Sequence, residues 1–244
     1  MSISWRRVGA LMRKELRDLR RNRFILLTMA IAPVVFVAMP MIQIFTISAS
    51  TPSQALSVRI GLSLLYMLII PATIPSTLAA YAIVGEREQG TLEALLITPI
   101  RREELLLGKA LAVLLPTLVI AYAVLGVFFA AVAIFALPAV ASAVFETSHV
   151  LVPLLFTPLL AGWSIWAGIA VSIRSSDVRV AQQLATFASF PPLILVALMS
   201  FGVIAPSVHL ALGVAAALLW IDVMGWRLVA AGLDRERLIV GGRR

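Results

Sequence analysis

The 244-residue chain has no cysteine and only two histidines. Disulfides and thiolate metal sites are therefore excluded, although a lipid-embedded chain needs no disulfide staple in any compartment. His149 and His209 both fall at the edges of apolar runs, and no H-E-x-x-H helix is present, so no metal site is expected. A nucleotide-binding P-loop is also missing. Gly108-Lys109 is followed by Ala110, and Glu103 stands where the first glycine would be. Charge itself is scarce, at 13% of residues against roughly 25% in a soluble domain. Hydrophobic residues fill the difference at 61%, with a mean hydropathy of +1.02. This is the composition of an integral membrane protein. The net charge of +8 flanks apolar runs and forms no independent domain. It speaks to topology and anionic headgroups rather than to nucleic acid.

What is present begins with an amphipathic N-terminal segment, residues 1–23. At 100° per residue, Trp5, Val8, Met12, Leu16 and Leu19 make one stripe. Arg6, Arg7, Arg13, Lys14, Arg17, Arg20 and Arg21 cover the other side. Such a helix lies in the membrane interface, with Trp5, Met12 and Leu16 toward the acyl boundary and Arg13, Lys14 and Arg17 toward headgroups. The charged region and the apolar run behind it are both too long for a signal peptide, so an uncleaved anchor is expected.

Six apolar runs are each near the ~20 residues that a bilayer requires. They lie at about 24–45, 60–84, 106–137, 150–173, 180–202 and 208–231, and the third has room for an interfacial helical lead-in. The segments 46–59, 138–149 and 203–207 hold a single Lys or Arg, Arg59. The N-terminus and segments 85–105, 174–179 and 232–244 hold nearly all the others. The positive-inside rule places both termini and the 85–105 loop in the cytoplasm, and an even number of spans agrees. No segment outside the spans is long enough to bury a second core, so residues 1–244 read as one all-α transmembrane domain.

The 85–105 loop has an internal structure of its own. Gly90 suits a left-handed helix terminus, and Thr91 can cap a new helix. Leu92, Leu95 and Leu96 then share one face. Thr98-Pro99 repeats the start signal, a capping residue before proline at the first helical position. An ordinary solvated loop needs no leucine-striped helix.

Within the spans, Pro33, Pro40, Pro71, Pro75, Pro116, Pro153, Pro158, Pro191 and Pro192 each remove a helical hydrogen bond and predict kinks or breaks. Ser164, Gly168 and Ser172 offer a close-packing face, as do Gly213 and Ala217, for internal packing or for dimerisation. Tyr66, Tyr122, Gln43 and the tryptophans are the polar handles on otherwise aliphatic walls. Asp222 is the one ionisable residue well inside a span. A carboxylate there either couples an ion or contacts substrate, or forms a structural pair or hydrogen bond near the cytoplasmic interface, with Arg227 or another helix's basic end as candidates. The structural role is favoured. Gly162-Trp163-Ser164 faintly resembles an intramembrane serine protease, but Ser164 would sit roughly 20 Å deep, out of reach of His209. No catalytic residue is expected.

The stretch Glu86-Arg87-Glu88-Gln89-Gly90-Thr91-Leu92-Glu93-Ala94-Leu95-Leu96-Ile97-Thr98-Pro99 resembles the E-R-E-x-G-T-L-E-x-L-L-x-T-P signature of ABC-2 type transporter permeases. Glu104 to Lys109 and the N-terminal run from Arg13 to Arg23 are similar to that family as well. So are Ser175-Ser176-Asp177 with Ala181-Gln182-Gln183, and Leu233 to Leu238. The short 46–59 segment argues against members with a large external domain between the first two spans.

The resemblance implies the type V exporter fold: an interfacial N-terminal helix plus six transmembrane helices, in a prokaryotic plasma (inner) membrane. It further implies a half-transporter that pairs with a second permease subunit, identical or not, and docks a separate ABC ATPase carrying the ATP and Mg. The chain itself would bind no cofactor. In that family the loop helix couples to the ATPase. This assigns Glu86, Arg87, Glu88, Gly90, Thr91, Leu92, Glu93, Leu95, Leu96, Thr98 and Pro99 to coupling, with the N-terminal helix beside them. An ion-coupled secondary transporter is the alternative, but it would want several paired intramembrane charges and, often, inverted repeats. An intramembrane enzyme or scaffold comes third. Membrane lipids are the remaining expected partner, and the substrate does not follow.

Overall fold

The computed structural model describes residues 3–21, 23–48, 51–88, 90, 100–201, 204 and 207–232. Among them there is no strand. The helices are α1 (Trp5–Arg21), α2 (Arg23–Phe45), α3 (Ser53–Glu88), α4 (Arg102–Phe135), α5 (Pro138–Val144), α6 (Thr147–Arg174), α7 (Val178–Ala188), α8 (Phe190–Ser200) and α9 (Val208–Gly232). Five stretches are long and apolar enough to cross a membrane: Ser53–Glu86, Arg102–Phe135, Thr147–Arg174, Val178–Ser200 and Val208–Ala231. The chain is built as a multi-pass membrane protein. The sequence predicts six crossings. The difference lies in α2, a 23-residue helix whose apolar part among the described residues is the shorter Pro33–Phe45.

Several boundaries move. Helix α3 begins at Ser53, so half of the expected 46–59 connection is helical, and α4 runs as one unbroken helix from Arg102 to Phe135. The expected 138–149 connection carries α5 and the start of α6. The fifth expected span is broken at Ser189, where α7 ends and α8 begins beside Pro191 and Pro192. Pro33, Pro40, Pro71, Pro75, Pro116, Pro153 and Pro158 sit inside continuous helices.

Helix α3 is the post around which α2, α4, α6, α7 and α8 pack, and α6 is its most extensive neighbour. Their seam is made of small residues at four-residue spacing on both sides, Ala72, Ser76 and Ala80 against Ser164, Gly168 and Ser172. Ser164 Oγ donates to the Ala72 carbonyl at 2.6 Å, and Ser172 Oγ donates to that of Ala80 while accepting the Val84 N–H. A Cβ on Gly168 would stand only 2.6 Å from the Ser76 carbonyl oxygen. Small side chains therefore let two backbones approach closely enough for hydroxyl–carbonyl bonds, as expected where lipid supplies no hydrophobic drive between helices. Gly213 and Ala217 do no such work within the chain. Both are exposed, and a Cβ at Gly213 would meet nothing within 4 Å.

Two proline-freed carbonyls are repaired from neighbouring helices. Pro158 cannot donate to Leu154 O, and Tyr122 Oη on α4 donates there instead at 3.0 Å. Pro192 likewise cannot serve Ala188 O, and the Trp163 indole N–H on α6 reaches it at 2.8 Å. Tyr122 and Trp163 are thus committed to backbone repair rather than left as handles for a transported molecule. Gln43 is also engaged internally, taking the Ser63 hydroxyl at 3.2 Å.

Candidate functional site

At the end of the bundle that carries α1, the two strands of chain entering and leaving the 85–105 loop are drawn together by charge. The geometry starts from α1. Its inward row is Val8, Leu11, Glu15 and Leu19, at the spacing that one helix face requires. Val8 and Leu11 are buried, and Leu19 packs against the core cluster to which Leu106 and Ile169 belong. Gly108 on α4 permits the contact, since a Cβ there would lie 2.7 Å from Leu11 Cβ. The predicted apolar stripe is accordingly divided. Val8 is covered by protein and cannot touch lipid, Met12 and Leu16 are half-buried, and Trp5 remains 70% exposed. Arg13 and Arg17 are exposed. Leu11, absent from the predicted stripe, is one of the residues that seat the helix.

Glu15 is the one acid in the inward row, and Lys109 explains it. Lys109 follows Gly108 on α4, its side chain is 1% exposed, and its Nζ lies 3.1 Å from Glu15 Oε1 and 2.8 Å from Glu86 Oε2. Lys14 Nζ completes the junction, 2.8 Å from Glu86 Oε1, 3.2 Å from Glu15 Oε1 and 3.5 Å from Asp18 Oδ2. Burial pulls the Lys14 ammonium toward deprotonation, but the hydrogen bond to Glu86 and the charges of Glu15 and Glu86 prevail and hold it above the usual lysine range. One carboxylate from the end of α3, one lysine from the start of α4 and two side chains of α1 therefore form a single ionic unit.

A second tie lies one turn away. Glu104 Oε1 accepts Arg7 Nη2 at 2.8 Å and the Ser4 backbone N–H at 2.9 Å, while Oε2 accepts the Arg101 N–H at 3.2 Å. The last of these is half of a capping box that starts α4. Glu88, two residues after Glu86, reaches the other way. Its Oε1 accepts the Val178 N–H at 3.2 Å, at the start of α7, which Asp177 caps.

Of the predicted loop residues, Glu86 and Glu88 are thus bound into the chain's own helices. Gly90 has φ 68°, the sole positive φ among the described residues, as its place at a helix terminus predicts. The side chain of Arg87 lies outside the described residues, as do Thr91, Leu92, Glu93, Leu95, Leu96, Thr98 and Pro99. Sequence reasoning missed Glu15, Lys109 and Glu104 as site residues. The available signal was a lysine inside the apolar run from Leu105 to Leu115, and an acid on the inward row of α1.

Asp222 lies apart from this junction, on α9 against α6. Its Oδ1 accepts the Trp166 indole N–H at 3.0 Å, and Oδ2 sits 3.0 Å from where a Gly162 Cβ would be. Arg227 is exposed, and no ion pair joins it to Asp222 among the described residues. Asp222 thus makes a structural hydrogen bond, to an indole and not to the candidate cation Arg227. Trp166 is itself held edge-on to Trp163, centroids 4.9 Å apart, and lies over Gly225.

The family model described as ABC-2 family transporter protein matches residues 9–236 of this chain. No curated protein matches it.

Proposed function

The chain belongs to the ABC-2 transporter family, and from that membership we propose that it is the permease subunit of an ATP-driven exporter in a prokaryotic inner membrane. Two such subunits, identical or different, form the substrate pathway, and each docks a separate ABC ATPase through the 85–105 loop. ATP and Mg belong to that ATPase. The chain is a transport component with no catalytic residue of its own. Helix α2 supplies the sixth crossing, since 23 residues at 1.5 Å each cover roughly 35 Å, more than the ~30 Å hydrocarbon core. Both termini and the loop are cytoplasmic, in keeping with the basic residues gathered at the α1 end.

The observation that carries this reading is the ionic unit of Glu86, Lys109, Lys14 and Glu15. Any force applied to the loop enters α3 and α4 at a point where they are bridged to each other and to α1. ATP-driven closure of the ATPase pair then pulls on all three helices as one body, and α3 passes the movement through its small-residue seam to α6. Leu92, Leu95 and Leu96 pack against the ATPase or the adjacent spans, and Glu86, Arg87, Glu88 and Glu93 set polar register. Trp5 and the exposed arginines of α1 hold the interface with lipid.

The test is copurification followed by coupling. In mild detergent an ATPase with a P-loop travels with this chain. Leu95→Ser with Leu96→Ser lowers substrate-stimulated ATP hydrolysis while membrane insertion persists. Transport by the purified polypeptide alone, or residue 89 labelled from outside the cell, overturns the reading.

A further inference from the structure

At the end of the bundle away from α1, helices α3, α6 and α8 enclose a cavity of about 120 Å3. Its wall is graded in polarity. Ser57 on α3, Ser148 and His149 on α6 and Ser200 on α8 supply the polar side chains, whereas Leu64, Leu65, Leu68 and Val152 are apolar. From Ser57 to Leu68 helix α3 advances roughly 16 Å at 1.5 Å per residue, so the polar rim and the leucine pit are separated along the membrane normal. One side is sealed by backbone, because a Cβ at Gly61 would fall on the Ser200 carbonyl oxygen.

Three of the four polar rim side chains share a hydrogen-bonding sense, and the fourth, Ser148, has a hydroxyl that can donate or accept. Ser57 Oγ donates to Gln54 O at 2.9 Å and Ser200 Oγ to Val196 O at 3.0 Å, so both hydroxyl protons are used within their own helices and lone pairs remain. His149 Nδ1 lies 2.8 Å from Ala143 O. A carbonyl only accepts, so in the neutral ring Nδ1 carries the proton and Nε2 is an acceptor. No lysine or arginine lines the cavity; Arg59 stands on α3 between the lining residues Val58 and Gly61 and is exposed, and the Glu146 carboxylate lies 3.9 Å from His149 Nδ1. Three acceptors and a neighbouring acid repel carboxylate and phosphate heads and favour a donor.

We propose that this cavity binds a small amphiphile whose apolar end fills the leucine pit and whose head donates hydrogen bonds, as a hydroxyl or primary amine does. The size fits a short alkyl chain or one ring, since an apolar cavity of ~150 Å3 takes a benzene-sized guest. The inference stands without the ATPase. On the topology proposed above, the cavity opens in the outer half of the membrane, where an exported molecule would leave.

The experiment uses the full chain in phosphatidylcholine nanodiscs and decanol carrying a photoactivatable diazirine at its tail. Labelled peptides are mapped by mass spectrometry. Label is expected on residues 57–68 and 148–152, competed by decanol and decylamine but not by decanoate. Leu65→Trp, which fills the pit, lowers it roughly tenfold by excluding the guest's buried methylenes. Ser57→Ala with Ser200→Ala, which leaves the volume and the fold intact, narrows the alcohol-over-carboxylate preference several-fold as two acceptors are lost. Three outcomes overturn the proposal. They are label unchanged in Leu65→Trp, equal competition by decanoate, and equal labelling of the outward α8 face around Ile194, which would mean surrounding lipid only.

Discussion

Lys109 Nζ lies 2.8 Å from Glu86 Oε2, a bridge from the start of α4 to the end of α3. The two residues belong to different helices and are joined through a lysine almost wholly out of solvent. Such a pair is weak evidence for stability, because desolvation offsets much of the attraction. Its value is geometric. An ammonium with two acidic partners from two helices fixes their separation more tightly than leucine contacts alone would. Lys14 then locks the same carboxylate to α1 from the solvent side.

Breaking the bridge from one side strands a buried charge. Lys109→Met leaves Glu86 its bond to Lys14, and Glu86→Gln leaves Lys109 its bond to Glu15. Each single variant should lose stability toward the low end of the ~3–5 kcal/mol seen for broken buried pairs, because one partner survives. The double variant Lys109→Met, Glu86→Gln should lose less than the sum. Thermal unfolding in detergent measures this, and strict additivity would show the two side chains to be energetically independent.

Gly108 makes the α1 contact possible, and the absence of cysteine makes that contact easy to watch. A single cysteine at Leu11, the 6%-exposed residue facing Gly108, should react slowly with maleimide. Adding Gly108→Val places methyl groups where Leu11 now lies, so α1 must move away and the thiol becomes reactive. A cysteine at Arg13, on the exposed face, should be equally reactive in both backgrounds. Coupled ATP hydrolysis is expected to fall with α1 displaced.

Much of this was legible in residue patterns, and the failures share a cause. Long apolar runs flanked by arginine gave the helices, four-residue spacing gave a close-packing face at Ser164, Gly168 and Ser172 without saying what it meets, and Gly90 announced its positive φ. These are properties of one helix at a time. Glu15, Lys109 and Glu104 went unread because their meaning depends on which helix stands opposite. A charge in an apolar row is a defect until its partner across the gap is known. The α7–α8 break follows the same logic. Pro191 and Pro192 predicted it, but only the packing of Trp163 shows why the helix can bear it there.

Asp222 tests whether an intramembrane acid is structural. Its indole partner contributes at most ~1.7 kcal/mol by the range seen for hydrogen bonds between membrane helices. Trp166→Phe and Asp222→Leu should each cost about 1 kcal/mol or less, with no further loss when combined, because either change removes the same bond, whereas Asp222→Asn keeps an amide oxygen that accepts it. Transport should survive Asp222→Asn. Abolished transport with unchanged stability would instead make the carboxylate part of the substrate or ion path.

The repair of proline-freed carbonyls makes the sharpest prediction, because the donor and the proline lie on different helices. Tyr122 Oη serves Leu154 O only because Pro158 has no N–H to give it. Tyr122→Phe in the natural background therefore leaves the Leu154 carbonyl without this donor, at a cost of roughly 0.6–1.7 kcal/mol. In a Pro158→Ala background the restored N–H at position 158 can close the ordinary bond to Leu154 O. There Tyr122→Phe should cost almost nothing. Trp163→Phe should behave likewise toward Pro192→Ala, through Ala188 O. Thermal unfolding of the four variants in each cycle decides the matter. A tyrosine effect of equal size with and without Pro158 would mean that the hydroxyl stabilises α4 against α6 for some reason other than the missing N–H.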